Sequence, residues 1–262
     1  MPEAFKTVRI LGIDFYNDTF AAAIEWTHVS GGLILAPSGP GLADLGRNPH
    51  YDRALEMADL NLIDSGYLAL LWKQSTGQDL ARHSGLKFIK ALTEDSRFKS
   101  NSNQLWVLPE ASHIQSTKRY LDGIGVRTEA HNYYEAPYYQ SQPVTDDVLL
   151  ERVRSSRPQY IILCVAGGKQ EVLGHWLRDQ LDYRPAIICI GAAIAFLSGQ
   201  QARIPPWADR IFIGWMLRIL RNPGTFLPRY WKARKLSHLV RRYGAGKPVK
   251  SGAASSGGNQ IA

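Results

Sequence analysis

A chain of 262 residues, 45% apolar and 21% charged, is long enough to bury a full core and has an ordinary globular composition. No run approaches the ~18 apolar residues of a membrane span, the N-terminus lacks the apolar run and cleavage site of a signal peptide, and neither the two cysteines nor the seven scattered histidines show zinc-like spacing. The reading is a soluble, cytoplasmic protein with no disulfide framework, and its charge is uneven: eleven of the 31 lysines and arginines, but none of the 23 aspartates and glutamates, lie between Arg210 and Ala262, leaving residues 1–209 at −3.

In chain order, VRILGIDF (8–15) predicts the first strand, and Asp18 and Thr19 stand ready to cap a helix through FAAAIEWTHV. GLILAPS (32–38) and LNLID (60–64) predict two more strands, ending at Pro37–Ser38–Gly39 and Asp64–Ser65–Gly66. QLWVLP (104–109) is followed by a helix over 113–122 with Ser112 as cap, and Thr145 is placed to cap DDVLLERVRSS. YIILCVAG (160–167) runs into Gly167–Gly168 and a helix from Gln170, and AIICIG (186–191) ends at Gly191. Nearly continuous apolar strands alternating with helices predict an α/β, Rossmann-like fold with a mostly parallel sheet covered by helices on both faces. Cys164 and Cys189 sit inside such runs and read as small core residues.

In such a fold the ligand sits beyond the carboxyl ends of the strands. That rule gathers Ser38, Asp64, Gly66, Gly167, Gly168 and Gly191 on one rim, where small residues let a ligand approach the backbone. Beyond Arg203 the character changes. WADRIFIGWMLRILRNP predicts a short amphipathic helix stopped by Pro223, and RYWKARKLSHLVRRY predicts a second. In the second, Ala233, Leu236, Leu239, Val240 and Tyr243 line one face, opposite Arg234, Lys235, His238, Arg241 and Arg242. The chain thus divides into a core (1–203), a basic appendage (204–243) and a Gly/Ser/Ala-rich tail expected to be disordered (244–262).

The phosphate loop GxxxxGK[ST], the dinucleotide fingerprint GxGxxG, GxSxG and a strand-end Asp-x-Asp are all absent. A site without metal or cofactor is expected, its positive charge coming from side chains.

Four segments in fixed order resemble the WecG/TagA/CpsF family, glycosyltransferase family 26. NPHYDRALEMADLNLIDSG (48–66) is similar to the family's run of a tyrosine, a helix, A-D and P-D-G, with Ile63 for the proline and Ser65 for the glycine. VAGGKQEVLGHWL (165–177) is similar to G-x-G-x-P-K-Q-E, and IGAAIAFLSGQQARIPPWADR (190–210) to a glycine-rich strand end, F-x-x-G and R-A-P-x-W. GWMLRILRNPGTFLPRYWKA (214–233) is similar to E-W-x-x-R-L-x-x-x-P-x-R-x-x-R-Y, with Gly214 for the glutamate. The family's T-x-N-P falls on Ala36–Pro37–Ser38–Gly39, and its G-x-D on Gly85–Leu86–Lys87.

The resemblance implies an inverting transfer of a hexose from a UDP-sugar to a polyprenyl-diphosphate-linked saccharide, in cell-surface or exopolysaccharide synthesis. It places Asp64 at the general base, although an aspartate there could equally cap the helix through YLALLWKQ. Gly167 and Gly168 could offer amides to an anion at the helix starting from Gln170, and Gln170 could contact the nucleotide. Lys169 and Glu171 read as solvated helix residues. Arg203, Arg218, Arg221 and Arg229 are candidates for the diphosphate, since a guanidinium grips phosphate with two prongs. Residues 210–243 would rest on an anionic membrane, making the protein peripheral on the inner face of the plasma membrane. A nucleic-acid-binding protein and a catalytically reduced scaffold of a polysaccharide assembly complex are the alternatives; a nucleic-acid partner is not expected, and a homo-oligomer is left open.

Overall fold

The computed structural model describes residues 5–140, 142–200, 224, 231 and 234–248. Its centre is an eight-stranded sheet in the order β1-β2-β4-β3-β8-β7-β5-β6. The strands are β1 (Thr7–Ile10), β2 (Ile13–Tyr16), β3 (Gly32–Leu35), β4 (Leu60–Asn61), β5 (Gln104–Leu108), β6 (Tyr133–Glu135), β7 (Tyr160–Leu163) and β8 (Ala186–Cys189). Among the described residues only β1 and β2 pair antiparallel; every other neighbour is parallel.

Side chains of a strand alternate between faces, so an apolar run feeds two cores. Leu33, Leu35, Ile161, Leu163, Ile187 and Cys189 face one core, which also takes Leu55 of α3 (Pro49–Glu56), Trp72 of α4 (Gly66–Thr76), Val153 of α8 (Asp147–Ser156) and Leu173 of α9 (Gln170–Gln180). Ile34, Trp106, Ile162 and Ile188 face the other, with Ile24 of α1 (Phe20–Val29), Phe88 of α5 (Gly85–Glu94), Phe98 of α6 (Ser96–Ser100), Leu121 of α7 (Ala111–Gly123) and Ile194 of α10 (Ala193–Leu197). The expected Rossmann-like α/β architecture is the one observed. Helix α9 lies close on the sheet because Gly174 has no side chain there; a Cβ would sit 2.9 Å from the Cys189 sulfur and 3.0 Å from Leu33 Cδ1.

Several local expectations are corrected. The run 8–15 is a hairpin, turning at Leu11 and Gly12, whose φ values of 53° and 81° belong to a two-residue primed turn. Strand β6 had no signal in the Tyr-rich stretch that contains it. Thr19 caps α1 as expected, accepting from Ala22 N. Asp146 rather than Thr145 caps α8, accepting from Leu149 N at 2.9 Å. Glu110 rather than Ser112 precedes α7, and the Ser112 hydroxyl turns back to the Glu110 carboxylate.

Near the C-terminus, α11 (Lys235–Tyr243) buries Leu236 and Val240 in the first core, packing on α4 and on α2 (Gly39–Leu42). Lys235, His238, Arg241 and Arg242 are exposed on its other side, as the periodicity predicts. Residues 244–248, assigned above to the tail, run under the hairpin: Leu11 N–H donates to Gly244 O and Gly12 N–H to Ala245 O, at 2.9 and 3.0 Å. The Lys247 ammonium then pairs with Glu56. Among the described residues no helix is long and apolar enough to cross a membrane.

Candidate active site

A cavity of about 730 Å³ opens at the carboxyl ends of β3, β4, β5, β7 and β8. This is the crevice where strand order reverses about β3. Ser38, Asp64, Gly167, Gly168, Gln170 and Gly191 all line it, so six of the sequence-derived site residues converge. Gly66 does not: it is the first residue of α4 and stands outside the lining. Arg203, Arg218, Arg221 and Arg229 lie outside the described residues.

Asp64 lies three residues beyond Asn61, the last residue of β4, and is half-buried. Its Oδ1 accepts the Gly85 N–H at 3.0 Å, and Arg82 Nε donates to its carbonyl at 3.1 Å. The carboxylate therefore sits at the N-terminal end of the ten-residue α5, where the partial positive charge of the helix suits an anion. Asp64 is not the cap of α4. Ser65 is, accepting from Leu68 N at 3.2 Å, which leaves the aspartate side chain for the cavity wall. The alternative reading of Asp64 is thus replaced by a one-residue shift of the cap.

The β7–α9 loop differs from expectation. Glu171 is 2% exposed, not solvated, and its Oε2 accepts the Gly168 N–H at 2.6 Å. That amide is consumed within the protein and does not serve a bound anion as expected. Glu171 Oε1 accepts from Gln170 Nε2 at 3.3 Å, and Gln170 Oε1 accepts the Gly191 N–H at 2.7 Å. A chain of three hydrogen bonds so ties the β7–α9 loop to the β8–α10 loop beneath the cavity floor. Lys169 is half-buried, with its ammonium donating to Gln140 O at 3.2 Å. Glu171→Ala strands one buried donor, Gln170 Nε2, and one half-buried donor, Gly168 N–H, each costing about 1–3 kcal/mol when left unpaired. Since water from the cavity can reach Gly168, the lower end applies: a loss of about 2 kcal/mol, lowering the melting temperature by roughly 4–8 °C in a thermal scan.

Side chains not singled out from sequence complete the wall: Asp44, Arg47, Asn48 and Tyr51 at the β3 end, and His113 and Phe196 at the β5 end. Tyr51 is 3% exposed. Burial, then the carboxylates of Glu171, Asp52 and Asp44, push its hydroxyl well above the usual range, so it stays a neutral phenol. Its position in the NPHYDRALE segment was the available signal; His113 had none beyond following a strand end. Cys164 also lines the cavity, but burial raises its thiol pKa, and burial does the same to Cys189. Both should resist iodoacetamide at pH 8 in the folded protein and react fully after denaturation, read by mass spectrometry. A wall of small apolar residues carrying three carboxylates, one guanidinium and one imidazole suits a ligand rich in hydroxyls.

Comparison with known proteins agrees with this geometry. The chain is 23% identical, over 242 residues covering 86% of it and 89% of the relative, to the N-acetylglucosaminyldiphosphoundecaprenol N-acetyl-beta-D-mannosaminyltransferase of Bacillus spizizenii (strain W23). The model of the glycosyl transferase WecG/TagA/CpsF family matches residues 8–247, which span the sheet, the cavity and α11. The chain belongs to the WecG/TagA/CpsF family of glycosyl transferases.

Proposed function

We propose that this protein is an inverting hexosyltransferase that moves a sugar from a UDP-sugar to a polyprenyl-diphosphate-linked saccharide during cell-surface or exopolysaccharide synthesis. The observation that carries the reading is Asp64: a carboxylate held by Gly85 N–H on the wall of a cavity of about 730 Å³. Asp64 takes the proton of the acceptor hydroxyl as its oxygen bonds to the anomeric carbon. The bond from that carbon to the diphosphate breaks on the opposite face, and UDP leaves as an anion. Ser38, Gly167 and Gln170 line the path of the substrate, and Arg203, Arg218, Arg221 and Arg229 are assigned to the leaving diphosphate.

The relative's name specifies a diphosphoundecaprenol acceptor, which supports a lipid-linked acceptor here. The exposed bases of α11 support a peripheral position on the inner face of the plasma membrane. Trp231 is 67% exposed, with the Arg234 guanidinium 4.4 Å above its ring, a pairing of aromatic and cation suited to a lipid headgroup layer. The test is a screen of radiolabelled UDP-sugars with membrane extract as acceptor. Label from one of them in the lipid fraction is the expected result; no label from any removes the reading.

A further inference from the structure

The hydrogen bonds that tie the β7–α9 loop to the β8–α10 loop also settle which way one amide faces. A side-chain amide has an oxygen that only accepts and a nitrogen that only donates, so its neighbours decide its orientation. For Gln170 both neighbours require the same one. The Gly191 N–H can only donate, and it meets Gln170 Oε1 at 2.7 Å. Glu171 Oε1 accepts from Gln170 Nε2 at 3.3 Å, while Glu171 Oε2 accepts the Gly168 N–H at 2.6 Å. Both oxygens of Glu171 therefore face donors.

Gln170 Nε2 carries two hydrogens, and Glu171 takes one of them. Among the described residues the second has no partner, although Gln170 is only 2% exposed. A buried donor left unpaired is costly, and the space open to this one is the cavity that Gln170 and Gly191 both line. Gly191 keeps the approach clear. Its φ of 55° favours glycine, and a Cβ there would stand 3.5 Å from Gln170 Nε2.

We propose that Glu171 is a positioning residue for the transfer. By accepting one hydrogen of Gln170 it holds the amide with the other available to the cavity, where it donates to an oxygen of the bound substrate. This rests on the glycosyl-transfer reading above and gives the contact a polarity: Gln170 recognises a group that accepts. That oxygen belongs to the UDP-sugar or to the lipid-linked saccharide, and the kinetics tell the two apart.

The experiment is transfer kinetics, beside thermal melts, for the wild type, Glu171→Gln and the exchanged pair Gln170→Glu/Glu171→Gln. Glu171→Gln leaves one oxygen for two donors, so it lowers kcat/KM by roughly 10–100-fold and also lowers the melting temperature. The exchanged pair remakes all three hydrogen bonds, the middle one reversed, at unchanged net charge. The new carboxylate at position 170 accepts from Gly191 and from the new amide at position 171, whose oxygen takes the Gly168 N–H. Only the hydrogen offered to the cavity is lost. Its melting temperature should return to within about 2 °C of wild type, with kcat/KM still roughly 10–100-fold down. A rise in donor KM places the oxygen on the UDP-sugar, and a rise in acceptor KM places it on the lipid-linked saccharide. A purely structural Glu171 would instead give back transfer together with the melt. That result, or Glu171→Gln within about twofold of wild-type kcat/KM, overturns the positioning role. Should the exchanged pair fail to fold, the side-chain amide signals of Gln170 in the wild type, followed by NMR, must move when substrate is added; unmoved signals overturn the contact. A wild type that transfers from no UDP-sugar ends the function reading and this one with it.

Discussion

Asp64→Asn is expected to lower turnover by roughly 10²–10⁴-fold, the usual cost of removing a general base, while the protein keeps its fold. Asparagine retains an oxygen where Asp64 Oδ1 now accepts the Gly85 N–H, so the contact between the β4 end and α5 survives. What disappears is the basicity that removes the acceptor's proton. The cap of α4 is unaffected because Ser65 provides it. Initial rates of transfer from a labelled donor, beside a thermal melt, measure both halves of the expectation. A variant that melts like the wild type and turns over as fast would assign the carboxylate to structure alone.

The second large effect concerns α11. With Leu236 and Val240 buried against the core, Arg234, Lys235, Arg241 and Arg242 are exposed on one side of the helix. Each base held near an anionic leaflet contributes about 1 kcal/mol. Replacing these four by glutamine should weaken binding to phosphatidylserine-containing vesicles by up to about 10³-fold at low salt, with less loss as salt screens the wild type. The buried face is untouched, so the fold should hold. Sedimentation with vesicles gives the partition coefficient, and equal sedimentation of both proteins would remove α11 from the membrane contact.

Much of this was legible because the chemistry is local. A parallel strand covered on both faces must be apolar throughout, and the runs at β3, β5, β7 and β8 announce themselves in that way. The site rim followed from where those runs stop. Misreadings arose where neighbouring residues share a chemistry. Thr145 and Asp146 can both cap a helix, as can Asp64 and Ser65, and only the backbone path decides between them. The hairpin was hidden because Leu11 is buried and apolar, and the residues of the tail that pin its turn are more than two hundred positions away.

Glu171 departs furthest from the sequence expectation. On a helix starting Lys-Gln-Glu a carboxylate reads as solvated, but Glu171 is buried and turns back on its own segment, taking the Gly168 N–H and Gln170 Nε2 as partners. Gln170, by contrast, was expected at the site and is there, although its side-chain oxygen is spent on Gly191. His113 shows a limit of another kind. Its partner Glu110 is three residues away and visible in the sequence, yet nothing local says that the β5 end opens onto the same cavity as Asp64.

The most direct measurement is the anomeric configuration of the transferred sugar, determined by NMR on the product made by purified protein from a UDP-sugar and a polyprenyl-diphosphate-linked acceptor. One carboxylate acting as base beside a single displacement predicts the configuration opposite to that of the donor, with product formation almost abolished in Asp64→Asn. Retention of configuration, or the same product at the same rate from the variant, would contradict it.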